Sequence, residues 1–315
     1  MAKRSRTRSR QQPREAAAQG DVGPRQPCPC GSGRRYKSCH GAPGGAPPAF
    51  VRRPFEGLPS EADVVALREL VPAATAPLPL GGQHADRAVT LCTLLPSAAP
   101  AMVRESGDIW LALQVQHHFG DPARDLGAVL TAALARDEPG VVGLTADPGE
   151  GPRLQDLVAA EELSVTVHEG FDFWVADVPD APDLMGVLEQ ANAAINPTQR
   201  LTSVPAAYWT DVRTKEHLRW VMTEPEDRLL DALARLHAAG ADVLVPGSRL
   251  VGMFRAHGLL APVWDLPVGT GAEALEEPAD RFATRLGEAL ADDSGLTGEQ
   301  RAARNGLANR QVTIR

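Results

Sequence analysis

The chain has 315 residues, enough for one or two compact domains with a substantial core. Its net charge of −8 is unevenly spread: residues 1–40 carry ten Lys or Arg against two acidic residues, net +8, whereas residues 41–315 carry 22 against 38, net −16. No apolar run approaches the ~20 residues that span a bilayer, and no apolar stretch follows the basic N-terminus, so neither a membrane span nor a secretory signal is expected.

Residues 1–25 alternate Arg with Ser, Thr and Gln, lack apolar periodicity, and are expected to be disordered. Lys3, Arg4, Arg6, Arg8, Arg10 and Arg14, extended by Arg25, Arg34, Arg35 and Lys37, form a candidate polyanion-binding strip. Each phosphate it neutralised would steepen the salt dependence of binding by a log–log slope of about −0.7 to −0.9. Tyr36 is the single aromatic there, so base stacking is not expected. The alternative is a solubilising tail. An anionic body is repelled by nucleic acid, so any RNA contact is expected to be confined to this head.

Residues 26–41 hold the most specific pattern in the chain. Cys28, Cys30, Cys39 and His40 form a C-x-C-x8-C-H set, the ligand number and type of a closed tetrahedral structural zinc site. The segment cannot bury a core of its own, and metal ligation can replace one, at about 10–16 kcal/mol in small zinc modules. Gly31-Ser32-Gly33 supplies a tight turn after the first two thiolates, while Arg34, Arg35 and Lys37 favour thiolate over thiol. A disulfide pair would leave His40 idle and one of the three cysteines unpaired unless Cys92 joined it. Zinc fits this donor set better than iron, which the sequence alone leaves open. With the cysteines committed to metal, a reducing, cytoplasmic setting is expected.

Pro27-Cys28-Pro29-Cys30-Gly31-Ser32-Gly33, Tyr36-Lys37 and Cys39-His40-Gly41 closely resemble the SEC-C motif, known from the C-terminal tail of the SecA preprotein translocase ATPase. The resemblance implies zinc on the four ligands. It also implies a partner among ribosomes, chaperones such as SecB, or translocase components. It covers about sixteen residues and differs in placement, because the motif here precedes the body and no G-x-x-x-x-G-K-[ST] phosphate loop follows. An ATPase is therefore excluded. The motif ahead of an acidic body also resembles a family of uncharacterised bacterial proteins.

Residues 42–59 read as a Pro/Gly linker, and residues 60–315 as an α+β body. Ser60 is the expected N-cap of its first helix. Strands are expected over 88–95, 109–115, 141–145, 164–169, 172–178, 242–245 and 262–266, with a hairpin turning at 169–171. Helices are expected from Asp121-Pro122 to about Arg136, near Pro182, from a capping box at Thr223 to Gly240, from Pro278 to about Ala291, and after Thr297. The helices opening at Pro122 and Pro278 share residues at six offsets, and each follows a strand bearing Trp, Trp110 or Trp264; Trp174 marks a weaker third copy. Two related β-β-α halves are one reading of this regularity, and convergence between helices of an Ala-rich chain is the other.

Catalytic patterns are sparse. Gly269-Thr270-Gly271 lacks the third glycine of a dinucleotide fingerprint and reads as a loop, and no G-x-S-x-G or H-E-x-x-H occurs. His168 and Asp172, beside Glu169, could pair as a base and its orienter; the alternative is a solvated turn whose Phe171, Phe173 or Trp174 supplies core. His117-His118 reads as a surface pair and Tyr208-Trp209 as a half-buried aromatic pair beside Asp211, Arg213 and Lys215. Cys92 reads as a small buried hydrophobe. The preferred function is an adaptor whose zinc module and basic tail dock on a ribosome, chaperone or export component. An enzyme with its site in the body, around His168 or His217 and a carboxylate, is the alternative.

Overall fold

The computed structural model describes residues 23–26, 35–38, 51–115, 119–144, 148–176 and 182–310. The chain divides into a unit of residues 1–49 and a unit of residues 50–315. In the first, Tyr36–Ser38 form a 3-10 turn.

The second unit is a mixed α+β body built on two sheets. Helix α1 (Glu61–Glu69) precedes strands β1 (Ala74–Pro77), β2 (Val89–Cys92), β3 (Ala101–Val103) and β4 (Ile109–Ala112). Helix α2 (Pro122–Leu134), β5 (Gly140–Val142) and the short β6 (Thr166–Val167) complete the first half. The strand order is β5-β3-β4-β2-β1-β6, antiparallel except for the β2–β4 pair. After α3 (Pro182–Ala193), the second sheet forms from β7 (Thr198–Arg200), β8 (Ala207–Asp211) and β9 (Glu216–Trp220), then β10 (Arg249–Ala256) and β11 (Leu259–Leu266). Its order is β10-β11-β9-β8-β7, antiparallel throughout. Helices α4 (Glu226–Ala238), α5 (Glu276–Ala291) and α6 (Gly298–Asn309) belong to this half.

Strand alternation divides the core between the sheet faces. Leu91, Ile109 and Leu111 turn one face of the first sheet toward Val64–Leu67 of α1 and Leu126, Val129 and Leu130 of α2. Tyr208, Phe254, Leu259 and Val263 bring one face of the second sheet into the same cluster. The main core therefore lies between the sheets. Outside the first sheet, Cys92 and Ala112 meet Phe171, Trp174 and Leu188. Outside the second, Trp264 lies edge-on to Phe282 of α5 at 5.2 Å, with Leu229, Leu233 and Leu236 of α4 in the same cluster.

Most expected elements form, with several corrections. Asp172–Val175 is a 3-10 turn rather than a strand, and β6 pairs with β1, so no hairpin turns at 169–171. No strand forms at 242–245, because local polar contacts claim this segment: Asp242 takes His237 at 2.7 Å, and Ser248 Oγ accepts the amides of Leu244 and Val245. Thr223 does not cap α4, whose N-cap is Pro225, whereas Thr297 and Gln300 form the capping box of α6. Ser60 precedes α1, but its Oγ accepts the Leu163 amide instead of capping. Residues 51–59, read as linker, pack on the body: Phe55 is fully buried, and Arg53 pairs with Glu61 through two 2.7 Å bonds.

A hairpin followed by a helix does occur twice, as β3-β4-α2 and as β10-β11-α5. The tryptophans differ in facing, however. Trp264 turns toward its helix, whereas Trp110 packs on the outer face of the first sheet, away from α2.

Candidate functional site

The four candidate metal ligands, Cys28, Cys30, Cys39 and His40, lie outside the described residues, as do Lys3, Arg4, Arg6, Arg8, Arg10, Arg14 and Arg34. Their flanks are described. The Tyr36 amide donates to the Gln26 carbonyl at 2.8 Å, and the Lys37 amide donates to the Pro24 carbonyl at 2.9 Å. The backbone two and four residues before Cys28 is thereby tied to the backbone three and two residues before Cys39. Three cysteines and a histidine at this sequence spacing match the donor chemistry of zinc. Arg35 and Lys37 both sit on this tied stretch. Among the described residues, no three His, Cys, Asp or Glu side chains gather into another metal site.

The body holds a cavity of about 630 Å³. Its wall includes Val165, Val167, His168 and Glu169 from the edge of the first sheet, and Thr198, Gln199 and Arg200 from the edge of the second. His168 is fixed by a 2.8 Å contact between its Nε2 and Thr75 Oγ1 and by the Phe173 ring at 4.8 Å. Burial lowers its pKa below the ordinary histidine value, which keeps the ring neutral near pH 7. Among the described residues no bond joins His168 to Asp172, which instead faces the Asn192 amide at 3.5 Å. The base-and-orienter pair is not formed. Phe171 and Trp174 are buried, as the alternative reading expects.

Beside that cavity lies an ion pair, between buried Asp63 and part-exposed Arg200, that is invisible in the sequence. Asp63 of α1 accepts Arg200 Nε at 3.0 Å, Arg200 Nη2 at 3.1 Å and the Tyr208 hydroxyl at 2.6 Å. Arg200 also borders a second cavity of about 460 Å³, reached between α1, the segment after β9 and α5. Tyr208 and Trp209 are buried within β8 rather than half-buried at its rim. Burial, reinforced by Asp63, pushes the Tyr208 phenol well above its ordinary value.

The Gly269-Thr270-Gly271 loop holds a carboxylate of the protein itself. Glu216 accepts the Gly271 amide at 2.9 Å, Trp209 Nε1 at 2.7 Å and the Gly269 amide. Burial alone would raise this carboxyl; the hydrogen bonds from Gly271, Trp209, Gly269 and Thr270 together hold it below its ordinary value. Both glycines have positive φ, +88° and +69°, the conformation that aims successive amides at one anion. His217 lies on the opposite face of β9, 3.0 Å from Asp265, and lines neither large cavity. Its pKa is lowered chiefly by burial, with Arg219 and Lys215 adding to the effect and Asp265 opposing it. His117 and His118 are outside the described residues.

Cys92 is free and fully buried, and burial pushes its thiol up to about 12, so it is packing rather than chemistry. Among the described residues no helix is long and apolar enough to cross a membrane. No curated protein and no solved structure gave a match to the chain. The SEC-C motif model matches residues 25–42, over the candidate metal ligands. A second model covers residues 54–315, the whole body from Pro54 onward, so this chain belongs to the family of unknown function DUF5926 and carries a SEC-C motif ahead of that domain.

Proposed function

We propose that this chain is a zinc-dependent docking protein of the cytoplasm. Cys28, Cys30, Cys39 and His40 hold one zinc ion, and the knuckle so formed, with Arg35 and Lys37 beside it, binds a ribosome, chaperone or protein-export component. The body is the folded load that this module brings to its partner. One observation carries the reading: four zinc-type donors fall within thirteen residues of a SEC-C match, in a segment whose only large apolar residue is Tyr36. Such a segment needs the metal to hold a shape, and a shape held that way has a surface as its product. The basic tail adds a salt-sensitive contribution to partners that carry phosphate.

Removing residues 1–44 tests this. The shortened chain should stay folded by circular dichroism and lose co-sedimentation with ribosomes or capture of its chaperone or export partner. Retained association would overturn the reading. A second reading, an enzyme in the body, is favoured by His168 and Glu169 sharing the 630 Å³ cavity. It requires turnover of some component of a metabolite mixture, followed by mass spectrometry, that disappears in His168→Ala.

A further inference from the structure

The cavity of about 460 Å³ between α1, the segment after β9 and α5 has the composition of a small-molecule site: mostly apolar walls with a few polar groups in fixed places. Its apolar wall includes Trp220, Met222, Ala283, Leu286 and Leu290. Trp220 is itself locked, with its ring centroid 5.9 Å from Phe282 and 6.4 Å from Trp264. Gly287 of α5 lines the same space, and nothing lies within 4 Å of a Cβ built there. The absence of a side chain at this position leaves that wall open.

Four carboxylates and one guanidinium also line this cavity. Two of the carboxylates are already matched. Asp63 holds the guanidinium, that of Arg200, at 3.0 and 3.1 Å, and Glu61 takes two 2.7 Å bonds from Arg53. Glu162 and Glu224 have no ion-pair partner among the described residues, which leaves the wall two negative charges in excess. Both sit on pinned backbone. The Leu163 amide, next to Glu162, donates to Ser60 Oγ at 2.8 Å, and the Thr223 carbonyl, next to Glu224, accepts Arg53 Nη2 at 3.4 Å. Glu162 is exposed and Glu224 half-buried, which places them toward the mouth, with buried Trp220 and Met222 at the floor.

An anion would be repelled by this excess charge. A metal ion finds no cage, because among the described residues no three His, Cys, Asp or Glu side chains gather to hold one, and an apolar wall supplies it no ligands. An apolar body with one cationic end satisfies both parts of the cavity. We infer that this cavity binds a small amphipathic organic amine, its apolar body against Trp220, Met222 and Leu286 and its ammonium at the mouth beside Glu162 and Glu224. The site is independent of the zinc module, and it makes the body a ligand-binding domain in its own right.

The test is isothermal titration calorimetry of the full-length chain with tryptamine, beside tryptophol and indoleacetate, which keep the apolar body and replace the charge. Tryptamine should bind saturably, tryptophol roughly five- to tenfold more weakly, and indoleacetate should not bind. Glu162→Gln and Glu224→Gln should each weaken tryptamine by about two- to fivefold, the effect of a part-exposed charge pair, and leave tryptophol unchanged. Glu299→Gln on α6, outside the cavity, makes the same charge change and should leave tryptamine binding unaltered, which separates the site from general attraction to an acidic body. Gly287→Leu should abolish binding of amine and alcohol alike while the variant melts no lower than the wild type, since leucine is the better helix former. If that variant melts lower, the two glutamine variants carry the decision. Cys28→Ser should bind tryptamine normally, so failure of this site is distinguishable from failure of the zinc module. No saturable tryptamine binding, equal binding of indoleacetate, or undiminished binding by both glutamine variants overturns the inference.

Discussion

Gly127, inside α2, sets two opposing effects against each other. Glycine in a helix interior costs about 1 kcal/mol relative to alanine, so Gly127→Ala taken alone should stabilise. A Cβ at this position, however, would stand 2.2 Å from Pro152 O and 2.9 Å from the Arg153 carbonyl carbon. Both obstacles are backbone, so relief requires moving the 152–153 segment, not turning a side chain. That segment is held by Arg153 Nη2 on Asp121 at 3.0 Å and by the Arg153 amide on Asp156 at 2.8 Å. Overpacking of this kind costs about 1–3 kcal/mol, and a backbone obstacle puts it at the upper end. The clash should win by about 1–2 kcal/mol, lowering Tm by about 2–8 °C for a body of this size. Gly287 of α5 and Gly306 of α6 provide the controls, since nothing lies within 4 Å of a Cβ at either. There alanine should raise Tm by up to about 4 °C. Differential scanning fluorimetry and urea unfolding of the three variants read the signs. A stabilised Gly127→Ala would refute the close approach of α2 to residues 152–153.

Three further outcomes follow from other parts of the body. Asp63→Ala removes the acceptor of Tyr208 and of the part-exposed Arg200 and should cost about 2–4 kcal/mol, while Tyr208→Phe should cost about 1.5–3 kcal/mol; urea unfolding ranks them, and equal small effects would refute the network. Stability should fall with acid in two windows. His168 and His217 have depressed folded pKa values, so the unfolded chain takes up their protons first and stability declines from about pH 6.5 downward. Glu216 and Glu276, also depressed, contribute above the ordinary carboxylate range and lose that contribution as pH falls below about 4.5. A pH series of urea melts that stays flat from pH 7 to 5 would contradict the histidine part. Cys92 should resist alkylation by iodoacetamide at pH 8 in the native chain and react once unfolded; rapid native labelling would contradict its burial.

The sequence displays the helices of this body more readily than its strands, for a physical reason. The apolar stripe of α4 repeats at Leu229, Leu233 and Leu236, and its end is marked by Gly240 at φ +64°, so local pattern suffices. Strand β9 reads Glu-His-Leu-Arg-Trp, which looks like a charged loop until Gly269 and Gly271 supply the amides that hold Glu216. Likewise Asp63 appears as ordinary first-turn acid of α1, and only the fold brings Arg200, 137 residues away, onto it. The metal set is the opposite case, because all its donors lie within thirteen residues. The cavity was half legible: His168 and Glu169 stand out as polar residues beside aromatics, but the β7 edge that faces them has no local signature.

The central claim is that metal and docking stand or fall together. Affinity capture of the wild-type chain beside Cys28→Ser, with bound zinc measured in both eluates by mass spectrometry, tests it most directly. One zinc per wild-type chain is expected, together with a specific set of partners, and the variant should lose both. A variant without zinc that retrieves the same partners would contradict the account.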